Sequence, residues 1–134
     1  MKKIILALAV FVFAFSSCKK ECEYWEEGKK CDTEVREKYF GTYNGVVTIS
    51  GTPQNAYSAV ATSSDGPKNF IIDSQIDCEL TSETAFDIPL QNFYSGGNAM
   101  QVEGSGSFSG NQLIYNCILT FNGATNVMSF SGTK

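Results

Sequence analysis

Beyond residue 40 the sequence alternates between apolar and polar residues in short runs. This period of two is the feature that most restricts what the chain can fold into. Phe86, Ile88 and Leu90 stand against Asp87 and Pro89, and Ile76, Cys78 and Leu80 against Asp77 and Glu79; Leu113, Tyr115, Cys117, Leu119 and Phe121 share a third face. Successive residues of a strand point to opposite sides of a sheet, so each run reads as a strand with one buried face. Eight strands are expected, at about 42–50, 56–63, 68–73, 75–81, 84–90, 99–109, 111–121 and 125–132. Turn residues separate them: Asp65-Gly66 in SSDGPK, the FSGNQL segment, and Asn122-Gly123 in FNGAT, the pair best suited to a two-residue hairpin. YSGGNA reads as a longer loop tip, and Pro89, which has no N–H to donate, as an edge or a bulge.

Closely spaced strands joined by short turns imply an antiparallel meander, which removes its open edges by closing into a small barrel or a barrel-like sandwich. The expected class is therefore all-β, with a short helix before the first strand. Asp32 or Thr33 could cap that helix, and Glu34 suits its first turn. The expected inner face is Tyr43, Val47, Ile49, Phe70, Ile72, Ile76, Leu80, Phe86, Ile88, Leu90, Phe108, Leu113, Leu119, Phe121, Met128 and Phe130. Side chains this large should fill a barrel this small. A binding site is then expected at the rim or on the outer surface. Tyr43, Tyr57 and Tyr94 are the candidates, because tyrosine combines an apolar ring with a polar tip.

The corner REKYFGTYNG, a helical turn followed by Gly41-Thr42-Tyr43, resembles the start of lipocalin-like proteins, with Tyr43 where that family has tryptophan. The resemblance implies a barrel with a mouth that could hold a small ligand.

The first residues have another character. Lys2 and Lys3 precede an uncharged apolar run, Ile4 to Phe15, which has the length of a signal peptide and is too short for a comfortable membrane span. Ser16, Ser17 and Cys18 follow. Phe15-Ser16-Ser17-Cys18 resembles the lipobox of bacterial lipoproteins, in the looser form of the Bacteroidota, with Phe15 where the usual pattern has Leu. The resemblance implies cleavage before Cys18, acylation of its sulfur and amine, and attachment to the outer membrane, facing the periplasm or the cell exterior. The expected organisation is a signal peptide at 1–17, a lipidated tether with a short helix at 18–40, and a β domain at 41–134. Residues 19–40 hold six Lys/Arg and seven Asp/Glu, which reads as a solvated mixed-charge spacer. Tyr24 and Trp25 could lie in the membrane interface or dock on the domain.

Of five cysteines, setting Cys18 aside leaves Cys22, Cys31, Cys78 and Cys117. An even count in an exported chain reads as a disulfide framework, with three possible connectivities. Cys22 and Cys31 share one short charged segment, while Cys78 and Cys117 both sit on apolar strand faces. That context favours the pairs 22–31 and 78–117.

The chain has no histidine, which excludes Ser-His-Asp and Cys-His catalysis and every histidine metal site. There is no CxxC spacing for zinc, no phosphate-binding loop, and no implied metal or cofactor. Residues 41–134 carry only Lys68 and Lys134 against seven acids, so nucleic acid is not an expected partner. Asp77, Glu79 and Asp87 are the only material for a carboxylate hydrolase, and alternation alone explains their outward placement. The sequence thus points to a non-enzymatic binding module for a small apolar ligand, a glycan or a protein surface. The alternative is an interaction lipoprotein with a filled core. Because two or more acyl chains hold a protein stably on a bilayer, Cys18→Ala should release the protein from membranes or block its processing. Metabolic labelling with a fatty acid in the native host checks this: a wild-type Cys18 that takes up no label would sink the lipoprotein reading.

Overall fold

The computed structural model describes residues 21–28 and 30–134. The expected signal peptide and Cys18 lie outside them. Two-residue strands β1 (Glu26–Glu27) and β2 (Thr33–Glu34) form a small ribbon, followed by one turn of 3-10 helix at Val35–Tyr39. Eight further strands run up and down in sequence order: β3 (Gly41–Ile49), β4 (Thr52–Ser63), β5 (Asn69–Ile72), β6 (Ile76–Leu80), β7 (Ala85–Ser95), β8 (Asn98–Ser109), β9 (Gln112–Phe121) and β10 (Ala124–Thr133). They close into an antiparallel barrel when β10 pairs with β3. All eight expected strands are present, and the architecture is a barrel rather than a sandwich. The expected loop tip YSGGNA is instead a tight two-residue turn: Gly96 and Gly97 both take positive φ, and β7 and β8 run right up to them.

Up-and-down topology sorts the connections to two ends. The turns at Ser50–Gly51, Asp73–Gln75, Gly96–Gly97 and Asn122–Gly123 all lie at one end, which we call the mouth. The connections at 64–68, 81–84 and 110–111, and the N-terminal segment, lie at the other.

That second end is plugged. The Tyr39 ring stacks on Phe108 at 4.0 Å, and Phe108 meets Phe86 at 5.2 Å, which in turn meets Phe70 edge-on at 5.0 Å. Tyr39 donates its hydroxyl hydrogen bond to the Glu83 carbonyl at 2.8 Å, and Tyr43 donates to the Tyr39 carbonyl at 2.8 Å. Arg36 is buried; it pairs with Glu34 at 2.7 Å and donates to the carbonyls of Ser64 and Asn69. Tyr24 donates to the Leu80 carbonyl, so it docks on the domain. The described part of the expected tether is therefore not a solvated spacer: Val35, Arg36 and Tyr39 are buried and close the barrel end. The helix cap also differs from expectation. Glu34 takes the N-cap position without a side-chain bond, because Thr33 and Glu34 are drawn into the ribbon with β1.

Two inner-face expectations are corrected. Leu90 is 65 % exposed. A bulge between Ile88 and Gln91 inserts one residue into β7, which breaks the alternation just past Pro89. Phe121 is 36 % exposed because it sits at the hairpin tip, beyond the packed core. Glycines fit the aromatic packing: a Cβ at Gly106 would collide with Cζ of Phe86 and lie 2.7 Å from Cβ of Tyr115. Phe86→Ala should cost roughly 3–5 kcal/mol, whereas Phe121→Ala should cost less than about 1.5 kcal/mol. Urea unfolding midpoints of the two variants check the difference; equal losses would contradict the described packing.

Candidate functional site

The barrel wall is uneven. β4 and β7 span twelve and eleven residues, but β5 and β6 between them span only four and five. β4 meets β5 only over Ala61–Ser63, and β6 meets β7 only at Glu79 and Leu80. Above those contacts the wall is notched. The Gln91 side chain bridges part of the gap: its Oε1 accepts from the Asp77 N–H at 2.8 Å, and its Nε2 donates to the Asp77 carbonyl at 2.7 Å. One side-chain amide thus takes the place of a ladder peptide where the strands part.

The notch and the mouth form one concavity of about 460 Å³. Its walls are mostly apolar: Val47, Ile49, Ile76, Phe93, Met100, Leu119 and Met128. Aromatic rings crowd the plugged half, so the interior is filled below and open above. The expected filled barrel holds only for the lower half.

Besides Gln54, Asn55 and Ser95, the polar groups of the mouth include Tyr57, Asp73 and Tyr115. Tyr57 donates its hydroxyl to Asp73 Oδ2 at 2.5 Å, and Asp73 Oδ1 accepts from the Val60 N–H at 2.8 Å. Asp73 has a positive φ of 54° in the β5–β6 turn, a conformation that Asp tolerates better than most residues. Burial first, and then the Asp73 hydrogen bond and charge, push the Tyr57 hydroxyl up to about 12. Tyr115 lines the same cavity with its residue 1 % exposed. Its hydroxyl has no hydrogen-bond partner among the described residues. Burial raises its pKa well above the ordinary value, with the Asp73 carboxylate adding to the shift.

The three sequence candidates therefore separate. Tyr57 lines the mouth. Tyr43 is wholly buried at the plugged end, with burial holding its hydroxyl at about 12, and cannot meet a ligand at the rim. Tyr94 is 66 % exposed on the outside of the β7–β8 hairpin, away from the cavity lining. Alternation placed Tyr115 on an inner face, but nothing in the pattern told which inward residues would lie above the packed core. Asp73 had no signal beyond its place between two strands.

The outer wall carries a second, shallow depression at the β7 bulge, lined in part by Pro89, Leu90, Ile118 and Val127, with Asp87 and Glu103 beside them. Asp77, Glu79 and Asp87 also lie on the outer wall; Glu79 faces Asp87 across the β6–β7 ladder and is ion-paired with Lys68.

Cys22 and Cys31 form a disulfide with Cα atoms 5.3 Å apart. The expected bond between Cys78 and Cys117 is absent, and both are buried free thiols. Both point inward, but β7 and β8 separate their strands. Three strand spacings of ~4.8 Å around the wall exceed the reach of a disulfide unless the curvature brings the Cα atoms within ~7 Å. Cys117 packs instead over Gly104, where an added Cβ would lie 2.8 Å from its own.

No protein-family model matches the sequence, and no curated protein matches it. Among solved structures, the chain is similar to a Bacteroides fragilis protein named provisionally as an outer membrane protein. The TM-score is 0.52 at 12 % identity; the match covers 75 % of this chain and 52 % of the other, so this chain spans about half of that protein's length. At this identity the similarity speaks to the barrel fold.

Burial raises the Cys117 thiol to about 11 and Cys78 further still, so neither forms appreciable thiolate near neutrality. Iodoacetamide at pH 8 should leave the native protein unlabelled and, after unfolding without reductant, should label two cysteines per chain among Cys22, Cys31, Cys78 and Cys117. Mass spectrometry reads the count; none labelled after unfolding would restore the second disulfide.

Proposed function

We propose that this protein is a non-enzymatic binding module, anchored to the outer membrane through lipid on Cys18, that holds a small, mainly apolar ligand in the barrel mouth. The observation that carries this reading is the apolar concavity of about 460 Å³ at the open end, within the ~300–1,000 Å³ range of ligand pockets. The similarity to a protein named for the outer membrane supports the location. The surface supports attachment by an anchor over embedding in the membrane. Asn44, Asp87, Glu103, Ser105 and Asn116 are exposed on the outer wall, where a membrane-embedded barrel carries an apolar band. Such a barrel lies beside a membrane and needs an anchor. Cys18 is three residues before Glu21, and the segment that follows plugs the closed end. The mouth therefore opens away from the bilayer, toward solution.

A second reading, an interaction lipoprotein, is favoured by the apolar outer depression around Leu90, Ile118 and Val127. The neutral fluorophore N-phenyl-1-naphthylamine distinguishes the two. It should bind once per chain with enhanced emission. Ser95→Trp, at the cavity rim, should weaken binding about tenfold or more, and Tyr94→Ala, outside the cavity, should leave it unchanged. Binding unaffected by Ser95→Trp but lost on Ile118→Asp would transfer the site to the outer wall.

A further inference from the structure

We infer that the mouth selects ligands whose polar group is a hydrogen-bond donor, an amine or a hydroxyl on an apolar body, and rejects anionic amphiphiles such as carboxylates. This rests on the mouth being the binding site and names the class of molecule it takes.

Three observations converge. The first is the distribution of cations. The described residues contain Lys30, Arg36, Lys38, Lys68 and Lys134 as their only basic side chains, and the chain has no histidine. All five belong to the plugged end. Lys30 lies in the connection between β1 and β2. Arg36 is tied to Ser64 and Asn69, and Lys38 to Glu27. Lys68 is tied to Glu79, and Lys134 donates to the carbonyls of Lys38 and Phe40. A carboxylate or phosphate brought into the mouth would meet no compensating charge, and burying an unpaired ion is strongly unfavourable.

The second is the Asp73 carboxylate, the charged side chain in the cavity lining. Each of its oxygens accepts one hydrogen bond, from Tyr57 and from the Val60 N–H. A carboxylate offers about four acceptor sites, so capacity remains for a donor from the ligand. An anion there would be repelled.

The third is Tyr115. Its hydroxyl is inside the cavity lining, on a residue almost entirely buried, and has no partner among the described residues. No enclosed side-chain oxygen or nitrogen among the described residues lacks a partner, so this hydroxyl is open to the cavity, where a ligand oxygen or nitrogen can take the place of water. A hydroxyl or amine can give its hydrogen to Asp73 and, through a lone pair where it has one, accept from Tyr115. The surrounding Ile49, Met100 and Met128 then take the apolar body.

The test is displacement of N-phenyl-1-naphthylamine by three probes of equal chain length: dodecylamine, dodecanol and dodecanoate, each below the concentration at which it self-assembles. Dodecylamine and dodecanol should displace the fluorophore at concentrations about tenfold or more below dodecanoate, since charge-assisted bonds are the strong ones. Asp73→Asn, which keeps an acceptor for the Val60 N–H, should abolish the advantage of the amine over the carboxylate. Tyr115→Phe should weaken dodecanol relative to dodecylamine, each competition being corrected for the variant's own affinity for the fluorophore. Dodecanoate equal to or better than the amine in the wild type would overturn this inference while leaving the mouth as the site. Absence of fluorophore binding, or binding indifferent to Ser95→Trp, would instead overturn the mouth reading on which it rests.

Discussion

The stack of Tyr39 on Phe108 is the contact from which the rest of the arrangement follows. An eight-stranded barrel has two ends, and each exposes apolar interior unless something covers it. Here a turn of 3-10 helix supplies an aromatic ring that continues the Phe70–Phe86–Phe108 cluster to the rim. Once that ring is seated, its hydroxyl on Glu83 and its carbonyl on Tyr43 lock the helix, and Arg36 ties it to the carbonyls of Ser64 and Asn69. Plugging one end this thoroughly leaves the interior to meet solvent at the opposite end, among the described residues.

Polarity then follows along the barrel axis. Acids are spread along the wall, but among the described residues cations are confined to the plugged end, because the strands carry none of them. Even across the shortest wall, where β5 (Asn69–Ile72) joins Lys68 to Asp73, five residues at a rise of ~3.4 Å each give roughly 17 Å of strand, about twice the ~8 Å screening length at physiological salt. The mouth therefore does not sense the lysines at the other end. Its electrostatic character is that of one carboxylate among apolar walls and tyrosine hydroxyls.

The period-two pattern made the barrel legible in the sequence. Alternation is a local property of the backbone, and all eight strands could be read from it because each buries one face. Pro89 was equally readable, since a residue without an N–H has few places in a sheet. What alternation does not encode is the order of strands around a closed wall. It placed Cys78 and Cys117 correctly on the interior, and suggested a bond that their strands, three positions apart around the wall, do not make. Nor does it encode height along the barrel axis. Tyr43 and Tyr57 share an inward phase, yet one is walled in by the plug and the other opens on the mouth. The site was half visible for the same reason: Tyr57 carried a chemical signal of its own, whereas Asp73 and Tyr115 acquire theirs only from the shortness of β5 and β6.

Those two short strands have a mechanical consequence. A barrel resists opening in proportion to the ladder that holds each stave, and local opening begins where the fewest backbone hydrogen bonds must break. The β5–β6 hairpin is joined to its neighbours over three residues on one side and two on the other, supplemented by the amide of Gln91 and by the bonds of Asp73 to Val60 and Tyr57. It is the loosest stave in the wall. Swinging it outward would widen the notch, but β5 carries Phe70, so a full swing would also draw that ring off Phe86 and Phe108 and loosen the aromatic plug. The same motion would bring Cys78, carried on β6, to solvent while Cys117 stays behind the long β8–β9–β10 sheet.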